Sequence, residues 1–218
     1  MSLDPTIAVF DKNARLYQQK YMDQSRYANG LDRCIQLAPQ RGSLLDLGCG
    51  PGNVSLYLSE KLSDWTFSAV DLSPAMVELA KINLPMADCR VDDVRNLHHF
   101  EGPYELIVVG FCIPYLSREE VEAMIKKTYD RLTEGGVLYL SFMEGDYSRS
   151  GYQVSSNGED RAMTYYYMAG EVEVMLKAVG FAVDTVLHSD FVKANDSIDI
   201  DVQLIAVKNE MTNYVRPL

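Results

Sequence analysis

The sequence has little of what would tie it to a membrane, a metal ion, a disulfide framework or a nucleic acid. No apolar run approaches the ~20 residues needed to span a bilayer. The longest, Leu106 to Leu116, is interrupted by Gly110 and Pro114. The first residues, MSLDPTIAVFDKNARLYQQKY, contain no basic region followed by a long apolar stretch, so no signal peptide is expected and a cytoplasmic protein is. Cys34, Cys49, Cys89 and Cys112 are scattered, with no CxxC pair, and His98, His99 and His188 form no ligand spacing with them. Neither a disulfide framework nor a metal site is expected. Positive charge is scarce: 20 Lys and Arg against 31 Asp and Glu give a net charge of −11. Much of the excess falls late, where Glu144 to Asp201 holds eleven acidic residues and four basic ones. A nucleic-acid surface needs a basic stripe to replace phosphate counterions, so DNA and RNA are not expected as partners. The acidity serves solubility and leaves a small-molecule ligand open.

What is present is the material of one ordinary globular domain. The chain has 218 residues, 47% of them apolar and 23% charged, with no internal repeat and no linker-like tract. Ile7 to Ala38 reads as helical, with a break expected at Asn29-Gly30. A strand at Ser43–Leu47 ends in glycines and is followed by a helix over Val54–Lys61. Trp65–Val70 reads as a second strand, and Ser73-Pro74 starts a helix, because Ser caps and Pro suits the first turn. Met86–Val91 and Tyr104–Val109 are the next strands, the latter apolar throughout and so expected to be buried on both faces. Glu119–Leu132 is an amphipathic helix expected to stop at Gly135-Gly136, before a strand at Val137–Phe142. A last helix, Glu171–Ala178, closes at Gly180. Phe181–Leu187 and Ile200–Val207 then follow with no helix between them, which makes that pair antiparallel. The pattern predicts a Rossmann-like, doubly wound α/β fold: a mostly parallel sheet with an antiparallel last strand.

The segment LLDLGCGPGN, Leu44 to Asn53, carries the chemistry. Gly48, Gly50 and Gly52 end the first strand, where a missing Cβ permits a tight turn and close approach of a ligand. The turn feeds a helix whose first amides favour an anionic group. Asp71, twenty-one residues after Gly50, ends the second strand, beside the turn, where a carboxylate can accept hydrogen bonds from two ribose hydroxyls. A dinucleotide fingerprint, G-x-G-x-x-G, would need glycine where Asn53 stands. Asp46, two residues before the first glycine, suits a ligand bearing a cationic amine and would repel a pyrophosphate. Both features favour an adenosyl amino acid over NAD.

These motifs resemble those of class I S-adenosylmethionine-dependent methyltransferases of the small-molecule type, over roughly Ser43 to Val207. LLDLGCGPGN is similar to that family's first motif and VDLSPAMVELA to its second. CRVDDVRNL resembles the third, YELIVVGFCIPYLS the fourth strand with its loop, and LTEGGVLYLSF and VMLKAVGFAV the later units. The resemblance implies a seven-stranded sheet and S-adenosylmethionine as cofactor. It implies Asp71 with Leu72 on the ribose side, Asp93 at the adenine amino group, the amide of Val94 at the ring, and Phe111 in the loop past the methionine end. It also implies a helical lid over residues 1–42, a cofactor-binding core over 43–145, a substrate-covering insertion over 146–170, and a C-terminal helix with antiparallel strands over 171–218. Pro114 stands where a histidine is common in that loop, which removes one expected base.

Several assignments have two readings. Asp46 either contacts the ligand or orders the glycine loop, since a buried carboxylate needs partners in both cases. One of Asp92 and Asp93 is expected to be exposed. Met76 packs on adenine or only between helix and sheet. Tyr17 and Tyr21, four apart on a helix, share a face, with Tyr17 expected near the cofactor and Tyr115 near the acceptor. Tyr147, Tyr152 and Tyr165 to Tyr167 flank the insertion, and such a lining suits a flat, aromatic or cationic acceptor. The expected activity is methyl transfer to an O, N or C nucleophile of a small molecule. The alternatives are a cofactor-binding module without turnover and a methyltransferase acting on a protein side chain.

Overall fold

The structure is a computed structural model, which describes residues 5–154, 158, 160–192 and 196–209; the outer ends of the expected lid and C-terminal segments lie outside these. Two N-terminal helices, α1 (Pro5–Tyr21) and α2 (Ala28–Leu37), precede strand β1 (Gly42–Leu47). Then come α3 (Asn53–Ser59), β2 (Trp65–Asp71), α4 (Pro74–Asn83), β3 (Asp88–Val91) and β4 (Tyr104–Gly110). The chain continues through α5 (Arg118–Arg131), β5 (Leu132–Met143), β6 (Gly151–Val154), β7 (Arg161–Thr164), α6 (Ala169–Val179), β8 (Phe181–Val192) and β9 (Ile198–Lys208).

Seven strands form one sheet in the order β3-β2-β1-β4-β5-β9-β8, and β6 pairs with β7 in a separate hairpin. The pairs β1–β2, β2–β3, β1–β4 and β4–β5 are parallel, whereas β9 runs antiparallel to both β5 and β8. This is the expected doubly wound sheet with a reversed last strand. Side chains alternate between its faces with period two. Leu44, Leu106 and Val108 pack with Leu31 of α2 and Leu58 of α3. Leu45, Ile107 and Val109 pack on the other side with Ile125 of α5 and Leu176 of α6. Burial on both faces explains why β4 reads as an unbroken apolar run. Strand order reverses between β1 and β4, which opens a crevice outside the carboxyl ends of the strands.

Two expected boundaries are corrected. The N-terminal helices break at residues 22–24, not at Asn29-Gly30, which lie inside α2. Gly30 serves packing there: a Cβ would sit 2.3 Å from Oε1 of Gln203 on β9, so the glycine lets α2 lie close on the sheet. Likewise Gly135-Gly136 does not end α5. That helix closes at Arg131 and passes directly into β5, whose pairing with β4 jumps from Tyr104↔Leu132 to Leu106↔Val137. The glycines occupy the resulting bulge, Gly135 with φ of +74°. The β6–β7 hairpin is an element the hydrophobic pattern did not reveal.

The segment after β3, which carries Asp93 and Val94, is clamped from behind by α5. Arg131 donates from Nε to the Phe100 carbonyl at 2.7 Å and from Nη2 to the Leu97 carbonyl at 2.9 Å. Removing the guanidinium leaves the Phe100 carbonyl without a donor among the described residues and the Leu97 carbonyl with only the Phe100 amide. Arg131→Ala is therefore expected to lower stability by about 1–3 kcal/mol, with Arg131→Lys intermediate. Urea unfolding measures this, and an unchanged midpoint for the alanine variant contradicts the clamp.

Candidate functional site

The turn from β1 to α3 has a conformation that only glycine takes without strain. Gly48, Gly50 and Gly52 have φ of +73°, +53° and +84°. Close approach adds to the requirement at two of them: a Cβ on Gly48 would lie 2.7 Å from Sγ of Cys112, and one on Gly52 2.7 Å from Cδ1 of Leu84. The turn is tied to β2. The amides of Gly48 and Cys49 donate to the Val70 carbonyl at 2.9 and 2.8 Å. The amide of Gly50 donates to Oδ2 of Asp71 at 2.8 Å, and Ser73 donates its amide to Oδ1 at 2.9 Å. Asp71 thus holds the loop with both oxygens. Burial raises its pKa, and the amides of Ser73, Gly50 and Leu72 oppose that rise. Each carboxylate oxygen carries a second lone pair, so these bonds leave acceptor capacity for a ligand.

A cavity of about 340 Å³ opens on this turn. It brings together Tyr17, Gly48, Gly50, Asp71, Leu72, Met76, Asp93, Val94, Phe111 and Tyr115. Two candidates are absent from its lining, Asp46 and Gly52. Asp46 lies beneath the turn, 1% exposed, and accepts from Oγ of Ser55 at 2.6 Å. That position favours the loop-ordering reading. Gly52 begins α3 and packs against α4 through Leu84.

At one end of the cavity the polar groups are paired more fully than the sequence suggested. Asp93 accepts from Nε and Nη2 of Arg95 at 2.8 and 2.7 Å and from the Arg95 amide at 2.9 Å. Burial works against its ionisation, but these bonds and the guanidinium charge win and its pKa is lowered. Arg95 also pairs with Glu120 at 2.9 Å. Asp92 is not exposed either; it accepts from the Asp93 amide and meets His99 at 2.9 Å. The amide of Val94, a residue 7% exposed, has no acceptor among the described residues, and so offers a donor to whatever fills this end. Arg95 was missed by sequence reading; an arginine two residues after an aspartate was the only signal.

Helix α1 crosses above the turn. Asp11 anchors it by accepting from Oγ of Ser73 at 2.7 Å and from the Ala75 amide at 2.8 Å. Ser73 in turn caps α4 by accepting from the Met76 amide. A carboxylate at this helix start is favoured by the helix dipole as well. On the other side of α1, Oγ1 of Thr6 accepts from the Met163 amide of β7. The docked helix brings Cε1 of Tyr17 within 3.7 Å of where a Gly50 Cβ would stand. Tyr17 meets Tyr21 in a tilted ring contact at 4.6 Å between ring centres, and Phe10 meets Tyr115 edge-on at 4.8 Å. Burial drives the hydroxyl pKa of both Tyr17 and Tyr115 well up, so these groups stay protonated as hydrogen-bond donors. Tyr152 and Tyr165 complete the wall from the hairpin side. Among the described residues no group of ligating side chains suits a metal ion, and no helix is long and apolar enough to cross a membrane.

Comparison with known proteins agrees with this geometry. Residues 44–136 match the model of a methyltransferase domain family. The carboxy-S-adenosyl-L-methionine synthase of Chromohalobacter salexigens is 38% identical over 104 residues, 44% of this chain and 38% of that protein. The trans-aconitate 2-methyltransferase of Delftia acidovorans is 30% identical over 134 residues, 61% of this chain and 49% of that protein. The chain thus spans about half or less of the length of these relatives. In fold, it is similar to the 1,6-didemethyltoxoflavin-N1-methyltransferase of Burkholderia thailandensis, solved with 1,6-didemethyltoxoflavin and S-adenosylhomocysteine bound. The TM-score is 0.68 at 16% identity, over 96% of this chain and 92% of that one.

The buried carboxylate under the turn gives the site a pH signature. Burial pushes Asp46 up to about 7 from an ordinary value of 3.8, with the Asp71 charge adding to the rise and the Ser55 hydrogen bond opposing it. Between those two values the folded state keeps a proton that the unfolded chain has released. The Asp46 contribution to stability therefore falls as pH rises through that window and levels off above it. Asp46→Asn retains an acceptor for Ser55 and cannot ionise. Its stability relative to the parent is expected to improve from about pH 4 to about pH 7. Urea unfolding of both proteins across that range measures it; parallel pH curves contradict a raised Asp46.

Proposed function

We propose that this chain, whose residues 44–136 match the model of a methyltransferase domain, is a class I S-adenosylmethionine-dependent enzyme that methylates a small-molecule acceptor. The observation that carries the reading is Asp71. It lies at the carboxyl end of β2, bound to the glycine turn and bordering the cavity, with an unpaired amide at Val94 on one side and Phe111 and Tyr115 on the other.

These groups fit an adenosyl amino acid. Asp71 accepts from the ribose hydroxyls, beside Leu72. Met76 lies against one face of the adenine, the Val94 amide donates to a ring nitrogen, and Asp93, steadied by Arg95, lies at the amino group. Gly48 and Gly50 present bare backbone to the methionine portion, with the ring of Tyr17 over them. Phe111 and Tyr115 border the reacting end.

S-adenosylmethionine supplies a methyl group already activated by its positive sulfur. The protein's task is then to align the acceptor and exclude water, and alignment is worth several kcal/mol. Helix α1, at the start of the segment 1–42, and the β6–β7 hairpin, within the insertion 146–170, provide the cover. Tyr115 donates a hydrogen bond to the acceptor and is not its base, because burial holds its proton. Enclosure under this cover favours a small acceptor over a folded protein, and the net charge of −11 disfavours a nucleic acid. The two methyltransferases named above are named for small molecules.

Asp71→Ala removes charge-assisted hydrogen bonds to the ribose and is expected to weaken S-adenosylhomocysteine binding by more than roughly tenfold. Isothermal titration measures the loss, with urea unfolding to verify that the variant is folded. Unchanged affinity in a folded variant rules out the ribose role.

A further inference from the structure

A second and larger cavity, of about 620 Å³, lies on the far side of Phe111, Tyr115 and Tyr17, which line both. Nothing in the cofactor reading uses it. Strand order explains its place. The first cavity draws on the ends of β1, β2 and β4, whereas the second reaches across the end of β5, at Met143, to β9 and β8. It is therefore the space into which a group beyond the reacting end would extend.

Its chemistry is aromatic and acidic. Tyr21, Tyr27 and Phe191 line it beside the three shared rings. Asp201 lies where β9 pairs with the end of β5, opposite Met143, and the residue is only 2% exposed. Its Oδ2 accepts from the Tyr27 hydroxyl at 2.8 Å. Its Oδ1 has no donor among the described residues. A carboxylate so little exposed is stabilised by a further donor or cation that reaches its second oxygen. No cation of the protein bonds to it directly among the described residues, although the nearby Arg26 charge favours its ionised form. Arg26 is exposed, lies over the Phe191 ring at 5.1 Å and donates to the Asp190 carbonyl. Lys20 is exposed over the Tyr21 ring at 5.0 Å. Asp199 adds a second carboxylate to the lining.

We propose that this cavity is the acceptor site and that it takes a basic amine with an aromatic or apolar body, whose nitrogen is held by Asp201 against the tyrosine rings. Aromatic faces attract a cation, and a partly desolvated carboxylate does so more strongly. The inference rests on the methyltransferase reading and names its acceptor class. An ammonium nitrogen has no lone pair, so it must first lose a proton, and Oδ1 of Asp201 is the acceptor within the cavity. The nitrogen lone pair then forms the bond to the methyl carbon while the methyl–sulfur bond breaks, its electron pair staying on sulfur. Asp201 releases the proton to solvent, and its carboxylate then pairs again with the methylated ammonium product.

The test uses the protein saturated with S-adenosylhomocysteine, whose own binding is measured first. Failure of that first step overturns the cofactor reading rather than the acceptor class. Phenethylamine, 2-phenylethanol and 3-phenylpropionate are then titrated by calorimetry. The amine is expected to bind at least roughly tenfold more tightly than the alcohol, and the carboxylate not to bind. Asp201→Asn keeps the Tyr27 partner and is expected to reduce the preference for amine over alcohol to about twofold or less, with S-adenosylhomocysteine affinity retained. Tyr27→Phe, which frees Oδ2 as well, is expected to preserve the amine preference. Tighter binding of the carboxylate, no binding of the amine, or an undiminished preference in Asp201→Asn overturns the proposal.

Discussion

The carboxylate of Asp71 extends the pairing of β1 and β2 beyond their ends, into the glycine turn and the start of α4. One oxygen holds the amide of Gly50, in the middle of the turn after β1, and the other holds the amide of Ser73, which begins α4. The turn cannot take its left-handed path without an anchor, because each glycine in it has given up the steric restriction that would favour one conformation. The same carboxylate borders the cavity. One group therefore both orders the loop and faces the cavity, its charge satisfied by backbone amides on one side.

Helix α1 extends this arrangement outward. Asp11 meets Ser73 and Ala75, so the covering helix is fixed to the same helix start that Asp71 helps to organise. From there the rings of Tyr21, Tyr17 and Phe10 contact one another in turn, and Phe10 meets Tyr115. These rings divide the space above the sheet in two. One part has the polar groups expected of a nucleoside site. The other has aromatic walls and the Tyr27–Asp201 pair. A methyl group passed between them would cross the partition at Phe111 and Tyr115, which border both.

The sheet and the cradle were legible in the sequence because their signals are local. Strands buried on both faces are unbroken apolar runs, and the glycines and the two acids stand at fixed short distances from strand ends. What was misread depends on distant partners. Asn29-Gly30 has the composition of a turn, yet Gly30 is a packing glycine because Gln203 stands against it. Gly135-Gly136 has the composition of a helix stop and instead fills a bulge set by pairing with β4. The β6–β7 hairpin is short and largely exposed, so its hydrophobic pattern is faint. The pairing of Asp93 with Arg95, which engages both its oxygens, was not foreseen. Tyr27 and Asp201 are 174 residues apart, and no spacing rule reaches that far.

The central claim is that Asp71 makes the glycine turn a site for the adenosyl group, with the reacting end directed at Phe111 and Tyr115. A crystal structure with S-adenosylhomocysteine tests it most directly. The account predicts both ribose hydroxyls within roughly 2.5–3.0 Å of the Asp71 carboxylate, the adenine between Met76 and the Val94 amide, and the sulfur facing Phe111 and Tyr115. A nucleoside bound away from the turn, or ribose hydroxyls that leave Asp71 without contact, would contradict it.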